Sequence, residues 1–125
     1  MIDSNILDRL DEDDEAQDEL VNRRDILLLV TPAQEQEVAA IPEAAKRVRL
    51  QEIILRLCRR LALQPGWQAG TADDGIIAAA GTANCDLLVS EDIEVLNKAL
   101  ASGLRAMDWR LFRERVVWAQ RRRRK

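Results

Sequence analysis

Histidine is absent from the sequence, and so is tyrosine. Without histidine there is no Ser-His-Asp or Cys-His catalytic arrangement and no histidine-ligated zinc site. Cysteine is scarce. Cys58 and Cys85 are the only two, they have no metal-ligand spacing, and they do not make a disulfide scaffold. Both read as buried free thiols in a reducing compartment. No uncharged run approaches the ~20 apolar residues of a membrane span. No signal peptide precedes the first acidic residue. The expectation is a cytoplasmic chain with no membrane partner. The chemistry left open rests on carboxylates, which do acid–base work alone or hold hard cations.

Apolar residues make up 47% of the 125, enough to bury a core and too many for a disordered chain. The length fits a single domain over residues 1–120, with 121–125 as a disordered basic tail. A net charge of −3 hides a strong asymmetry. Residues 3–19 carry nine acids against Arg9 alone, and residues 105–125 carry nine cations against Asp108 and Glu114. Such separation suits a polyanion or an acidic partner at the basic end, while the acidic overall balance argues against a protein that merely coats nucleic acid.

The order of elements reads as alternating strands and helices. Ile2 to Leu7 is a strand end entering a helix, with Asp3, Ser4 and Asn5 all capable N-caps. The acids of residues 11–19 load the following helical turns. Ile26–Val30 is a short apolar run suited to a buried parallel strand, and Pro32 suits the first turn of the next helix. Pro42 breaks that helix. A second runs from Glu43 to about Leu63, with Val48, Ile53, Ile54, Leu57 and Leu61 as its apolar stripe. Its cations, Lys46, Arg47, Arg49, Arg56, Arg59 and Arg60, form either a solvated face or a polyanion-facing one. A Pro65-Gly66 loop carries Trp67, a base-stacking candidate, whereas Trp109 and Trp118 read as packing residues. Asp73 or Asp74 caps a helix through residues 76–80. Leu87-Leu88-Val89 is a strand, residues 91–101 are a helix ended by Gly103, and Leu104–Met107 is a last strand. Asp108 to about Val117 closes the chain as a helix with Trp109, Phe112, Val116 and Val117 inward. This alternation predicts a parallel sheet with right-handed crossovers.

In such a sheet the carboxyl ends of strands meet helix starts along one edge, where ligands collect. Asp3, Glu37, Asp74 and Asp92 all fall at or just after such junctions. Each is equally well read as a simple helix cap or helix-surface acid. Brought together, they repel one another, and a divalent cation relieves that repulsion. All-oxygen ligation suits Mg²⁺ or Mn²⁺, ions that assist phosphodiester hydrolysis without histidine.

The same residues resemble the PIN-domain family. Ile2-Asp3-Ser4-Asn5-Ile6-Leu7 is similar to its opening, a strand ending in Asp-Thr/Ser-Asn. Leu29-Val30-Thr31-Pro32-Ala33 followed by Glu37 resembles its second strand and the helix that bears a glutamate. Asp74-Gly75-Ile76-Ile77-Ala78-Ala79-Ala80 resembles its Asp-x-Leu-Ile-Ala-Ala helix start. Leu87-Leu88-Val89-Ser90-Glu91-Asp92 resembles its Leu-Val-Thr-x-Asp strand end. Gly103–Met107 followed by Phe112 looks like its last strand and closing helix.

The resemblance implies a three-layer α/β/α fold with a central parallel sheet of about four to five strands. It implies a metal-dependent ribonuclease, such as the toxin of a VapBC-type toxin–antitoxin pair. Asp3, Glu37, Asp74 and Asp92 would then be catalytic and hold Mg²⁺ or Mn²⁺, with Asp73 as the substitute if the register slips by one. Ser4, Asn5 and Ser90 would support the carboxylates. The implied partners are an RNA substrate, an antitoxin protein and a second copy in a homodimer. Arg56, Arg59, Arg60, Arg121, Arg122, Arg123, Arg124 and Lys125 are the residues expected to meet RNA.

The sequence departs from the family in three ways. The first strand is short, the stretch between Glu37 and Asp74 is short, and the region after Asp3 is unusually acidic. The short first strand and the acidic region favour the alternative of a non-catalytic PIN-fold binding or assembly module. A receiver-like domain with an acidic magnesium pocket would want a lysine near the end of its last strand, where this chain offers Arg105.

Overall fold

The described parts of a computed structural model are residues 1–60, 77, 79–81 and 85–118. Leu61, Trp67, Asp73, Asp74 and the 121–125 tail lie outside the described residues, as do the expectations attached to them.

The chain begins by being held on both sides. Ile2 N–H donates to Leu29 O at 3.1 Å, Val89 N–H donates to Met1 O at 3.0 Å, and Asp3 N–H donates to Val89 O at 2.9 Å. The α-ammonium of Met1 donates to Leu87 O at 3.0 Å, and burial pushes its pKa below the ordinary value. Helix α1, Ser4–Asp11, follows at once and buries Ile6, Leu7 and Leu10, all fully. The spacing of those three puts them on one face, while Asp8, Arg9 and Asp11 lie off it. Helix α2, Asp14–Asn22, is capped by Asp13, whose Oδ1 accepts from Ala16 N.

Strand β1 is Leu28–Val30, shorter than the apolar run from Ile26, and Leu27 just before it is about half exposed. Thr31 then caps helix α3, Pro32–Ala39, through a capping box with Gln34. Helix α4 is Ala44–Leu57. It ends earlier than the sequence pattern indicates, and Cys58–Arg60 form strand β2. Arg59 and Arg60 therefore sit on a strand, not on the helix that carries Arg56. Leu50, Ile53 and Ile54 are the buried residues of α4, whereas Val48 is 50% exposed and Leu57 half-buried.

Residues 79–81 are helical, with Ala79 and Ala80 buried. Strand β3 is Leu88–Val89, helix α5 is Ile93–Ala101, strand β4 is Ala106–Met107 and helix α6 is Trp109–Phe112. Gly103, at φ +83°, provides the left-handed turn that ends α5. Beyond α6 the helix widens to π geometry over Arg113–Val117, which buries Val117 fully and leaves Val116 partly exposed.

The architecture is mixed α/β, dominated by helix. Among the described residues the strands form two small parallel sheets, β1 with β2 and β3 with β4. Met1–Asp3 lie between them, with Ile2 making an isolated parallel bridge to Val89. The described residues do not form one sheet of about four to five strands. The core packs α1, α2, α4 and the closing helix against β1 and Val89. A second cluster joins Met1, Leu88 and Val95 to residues 79–80. No helix among the described residues is long and apolar enough to cross a membrane.

Cys58 and Cys85 are free and partly buried. Burial, opposed by the chain's amino group and helped by the negative charge of Glu35, pushes the Cys58 thiol up to about 12. A value raised above that of the unfolded chain gives a stability term that is complete below pH 9.0 and lost as pH climbs towards about 12. Native-state alkylation of Cys58 at neutral to mildly basic pH is therefore expected to run at least about tenfold slower than in urea, as read by mass spectrometry.

Candidate active site

The strand registers bring four polar residues to one edge. Asp3 follows Ile2, Thr31 follows Val30, Ser90 follows Val89 and Asp108 follows Met107. Each lies where a strand gives way to a helix or turn. Three of these are side-chain caps: Asp3 Oδ1 accepts from Ser4 N at 2.8 Å, Thr31 Oγ1 from Gln34 N at 3.2 Å and Asp108 Oδ1 from Leu111 N at 2.9 Å. Negative charge at a helix start is favoured by the exposed N–H groups and the helix dipole.

Ser90 does more than follow a strand. It is fully buried, and its hydroxyl donates to Asp3 Oδ2 at 2.7 Å. Ser90 Oγ in turn accepts from the main-chain N–H of Asp92 at 3.0 Å. Asn5 spans the gap between these segments. Its Oδ1 accepts from Glu91 N at 3.1 Å, and its Nδ2 lies 3.5 Å from both Asp3 Oδ2 and Ser90 Oγ. Ser4 Oγ donates to Glu37 Oε2 at 2.9 Å. Asp3, Ser4, Asn5, Glu37, Ser90 and Asp92 are thus joined by one hydrogen-bonded network. Asp92 is its exposed end, with Oδ1 accepting from Glu94 N at 2.9 Å as the cap of α5.

The donor set is oxygen only, which fits Mg²⁺ or Mn²⁺ and suits zinc poorly. A carboxylate oxygen has two lone pairs. Asp3 Oδ2 takes both the Ser90 and Asn5 contacts, whereas Asp3 Oδ1, Glu37 Oε2 and Asp92 Oδ1 each take one of the bonds above and keep capacity for a cation. Among the described residues, no group of three or more acids or cysteines is placed to hold a metal by itself.

Two residues of this edge were not among the expected site residues. Gln34 is buried at 4% exposure, and its signal was the Thr31-x-x-Gln34 capping-box spacing. Glu91 Oε1 accepts from Trp109 N at 3.2 Å and lies 3.6 Å from Arg9 Nε, which ties the start of α6 to the network. No sequence pattern marks that contact.

The cations divide by location. Lys46 and Arg49 of α4 meet Asp8 and Asp11 of α1 at 3.2 and 3.1 Å, and Arg113 meets Asp13 at 2.7 Å. The acid-rich start of the chain is thus countered from within the fold. Arg60 pairs in register with Val30, so it lies at the same strand-end edge as the network, with its Nε 2.6 Å from Glu35. Arg56 and Arg59 are exposed. Comparisons with protein-family models, curated proteins and solved structures return no match.

Proposed function

We propose that the chain is a PIN-like, metal-dependent endoribonuclease that hydrolyses RNA phosphodiester bonds, in the manner of the toxin of a toxin–antitoxin pair. The observation that carries this reading is the hydrogen-bonded chain Asp3–Ser90–Asp92, with Glu37 joined to it through Ser4, at the ends of parallel strands. In this reading the two strand pairs and Met1–Asp3 act as one central parallel sheet, whose carboxyl edge carries the site. Asp3, Glu37, Asp92 and Asp74 would hold Mg²⁺ or Mn²⁺, and the ion would supply charge stabilisation for phosphodiester hydrolysis.

The chain's own groups orient and exclude. Buried Ser90 and Asn5 hold Asp3 Oδ2, and Ser4 holds Glu37. Arg56, Arg59 and Arg60, with the 121–125 cations, attract the RNA backbone. A reducing cytoplasm suits the unpaired thiols, and an antitoxin and a second copy are the protein partners.

Cleavage of a panel of structured RNAs with Mn²⁺, and its loss with a chelator, tests the reading. A stability gain should accompany metal binding: about 2.7 kcal/mol at a hundred times the dissociation constant, seen as a rise in melting temperature. Asp74→Asn should respond less. An unchanged melting temperature with saturating Mg²⁺ and Mn²⁺ would count against a formed site.

The second reading is a PIN-fold binding or assembly module that does not cut. It is favoured by the lack, among the described residues, of three acids placed to hold a metal together. A folded, metal-loaded chain that cleaves no RNA would support it.

A further inference from the structure

The peptide plane between Ile2 and Asp3 is held at both ends. Its N–H, on Asp3, donates to Val89 O at 2.9 Å. Its carbonyl, on Ile2, accepts from Gln34 Nε2 at 2.8 Å. A planar peptide gripped at donor and acceptor cannot rotate, so the positions of Asp3 N and Cα, from which the side chain departs, are set. The other end of the Gln34 amide accepts from Thr31 N at 2.8 Å. One turn further along α3, Glu37 accepts from Ser4 Oγ at 2.9 Å. Helix α3 therefore clamps the chain on both sides of Asp3, through Ile2 and through Ser4. Residues three apart on a helix share a face, which is why one helix makes both contacts.

Burying an amide is costly unless its hydrogen bonds are made, and Gln34 makes them to main-chain groups whose own partners would otherwise be lost. A leucine or methionine would fill the same space with no polar demand. Helix capping alone does not require the contact to Ile2, because the capping box is complete between Thr31 and Gln34.

We propose that Gln34 is a positioning residue of the carboxylate site, fixing the distance and orientation between Asp3 and Glu37 without touching substrate or ion. This inference rests on the reading of the site as a divalent-cation site. Gln34 acts on Asp3 through the Ile2 carbonyl and on Glu37 through the shared helix.

The test is Mn²⁺ affinity by calorimetry on the full chain, with wild type, Gln34→Met and Leu20→Ala. Leu20 is a buried residue of α2 whose side chain makes none of the network's hydrogen bonds, and its truncation supplies a stability loss without removing one of them. Gln34→Met is expected to weaken Mn²⁺ binding by about ten- to a hundredfold, the range for residues that orient metal ligands. Leu20→Ala is expected to stay near the wild-type affinity. Gln34→Asn, which keeps the amide and shortens its reach, replaces Gln34→Met if that variant fails to fold, with the same loss expected. Wild-type affinity in the Gln34 variant would overturn the positioning role and leave the metal site standing. Equal losses in the Gln34 and Leu20 variants would also overturn it, since any loosening of the fold would then suffice. No Mn²⁺ binding by wild type would overturn the metal site itself, and the role of Gln34 with it.

Discussion

Asp3→Asn is expected to lower RNA cleavage by at least about a hundredfold while the chain stays folded. The substitution keeps size and reach. Its carbonyl oxygen can still accept from Ser4 N, so the cap of α1 survives. The other oxygen, which takes the Ser90 hydroxyl at 2.7 Å, becomes an amide nitrogen that cannot accept. Ser90 Oγ must then turn its proton elsewhere, at a cost of about 1 kcal/mol. Relief of repulsion among the clustered acids offsets part of that cost in the absence of metal. Asp14→Asn, on the exposed start of α2, removes the same charge outside the network and should leave cleavage unchanged. Equal cleavage by wild type and Asp3→Asn, with folding checked by circular dichroism, would assign the activity to another site or to a contaminant.

Leu10→Ala is expected to destabilise the fold by about 2–5 kcal/mol, measured by urea unfolding. Leu10 is fully buried where α1 meets the core. Truncation removes its transfer free energy and leaves a cavity that neighbouring helices close only partly. Against a total stability of about 5–15 kcal/mol, that loss leaves a substantial unfolded fraction at physiological temperature. Leu55→Ala provides the contrast. Leu55 is 81% exposed, so its truncation should change stability by no more than about 0.5 kcal/mol. Similar effects from the two variants would mean that α4 buries a different face.

The order of elements was legible because local rules agree with the fold at most junctions. Thr31-Pro32 starts a helix, Gly103 ends one, and Asp108 caps one, each by chemistry that needs no distant partner. Strand β2 was hidden for the opposite reason. Cys58-Arg59-Arg60 has neither an apolar run nor a turn signal before it, and continues a charged helical pattern. Its extended form depends on pairing with Leu28–Val30, a partner set by tertiary structure. The α4 stripe misled in the same way: α1, α2 and α3 cover Leu50, Ile53 and Ile54, and Val48 falls outside that cover.

At the site, the residues at strand ends were visible as helix starts. The hydrogen bonds among them were not, since Asn5 to Glu91 and Ser90 to Asp3 each cross more than half the chain. Gln34 was overlooked because a buried amide has the composition of a surface residue. The ion pairs were equally hidden, since Lys46, Arg49 and Arg113 meet Asp8, Asp11 and Asp13 only across the fold.

Paramagnetic broadening by Mn²⁺ tests most directly where a cation binds. The chain has a competing acidic surface on α2, formed by Glu15, Asp18 and Glu19. Substoichiometric Mn²⁺, added to isotope-labelled protein, broadens the amide signals nearest the ion. The account predicts early loss of the Ser4, Asn5, Glu91 and Asp92 amides, with those of Asp18 and Glu19 retained, and no such selectivity in Asp3→Asn. Broadening that begins at Asp18 and Glu19, or a pattern unaltered by Asp3→Asn, would contradict a cation site at the strand ends.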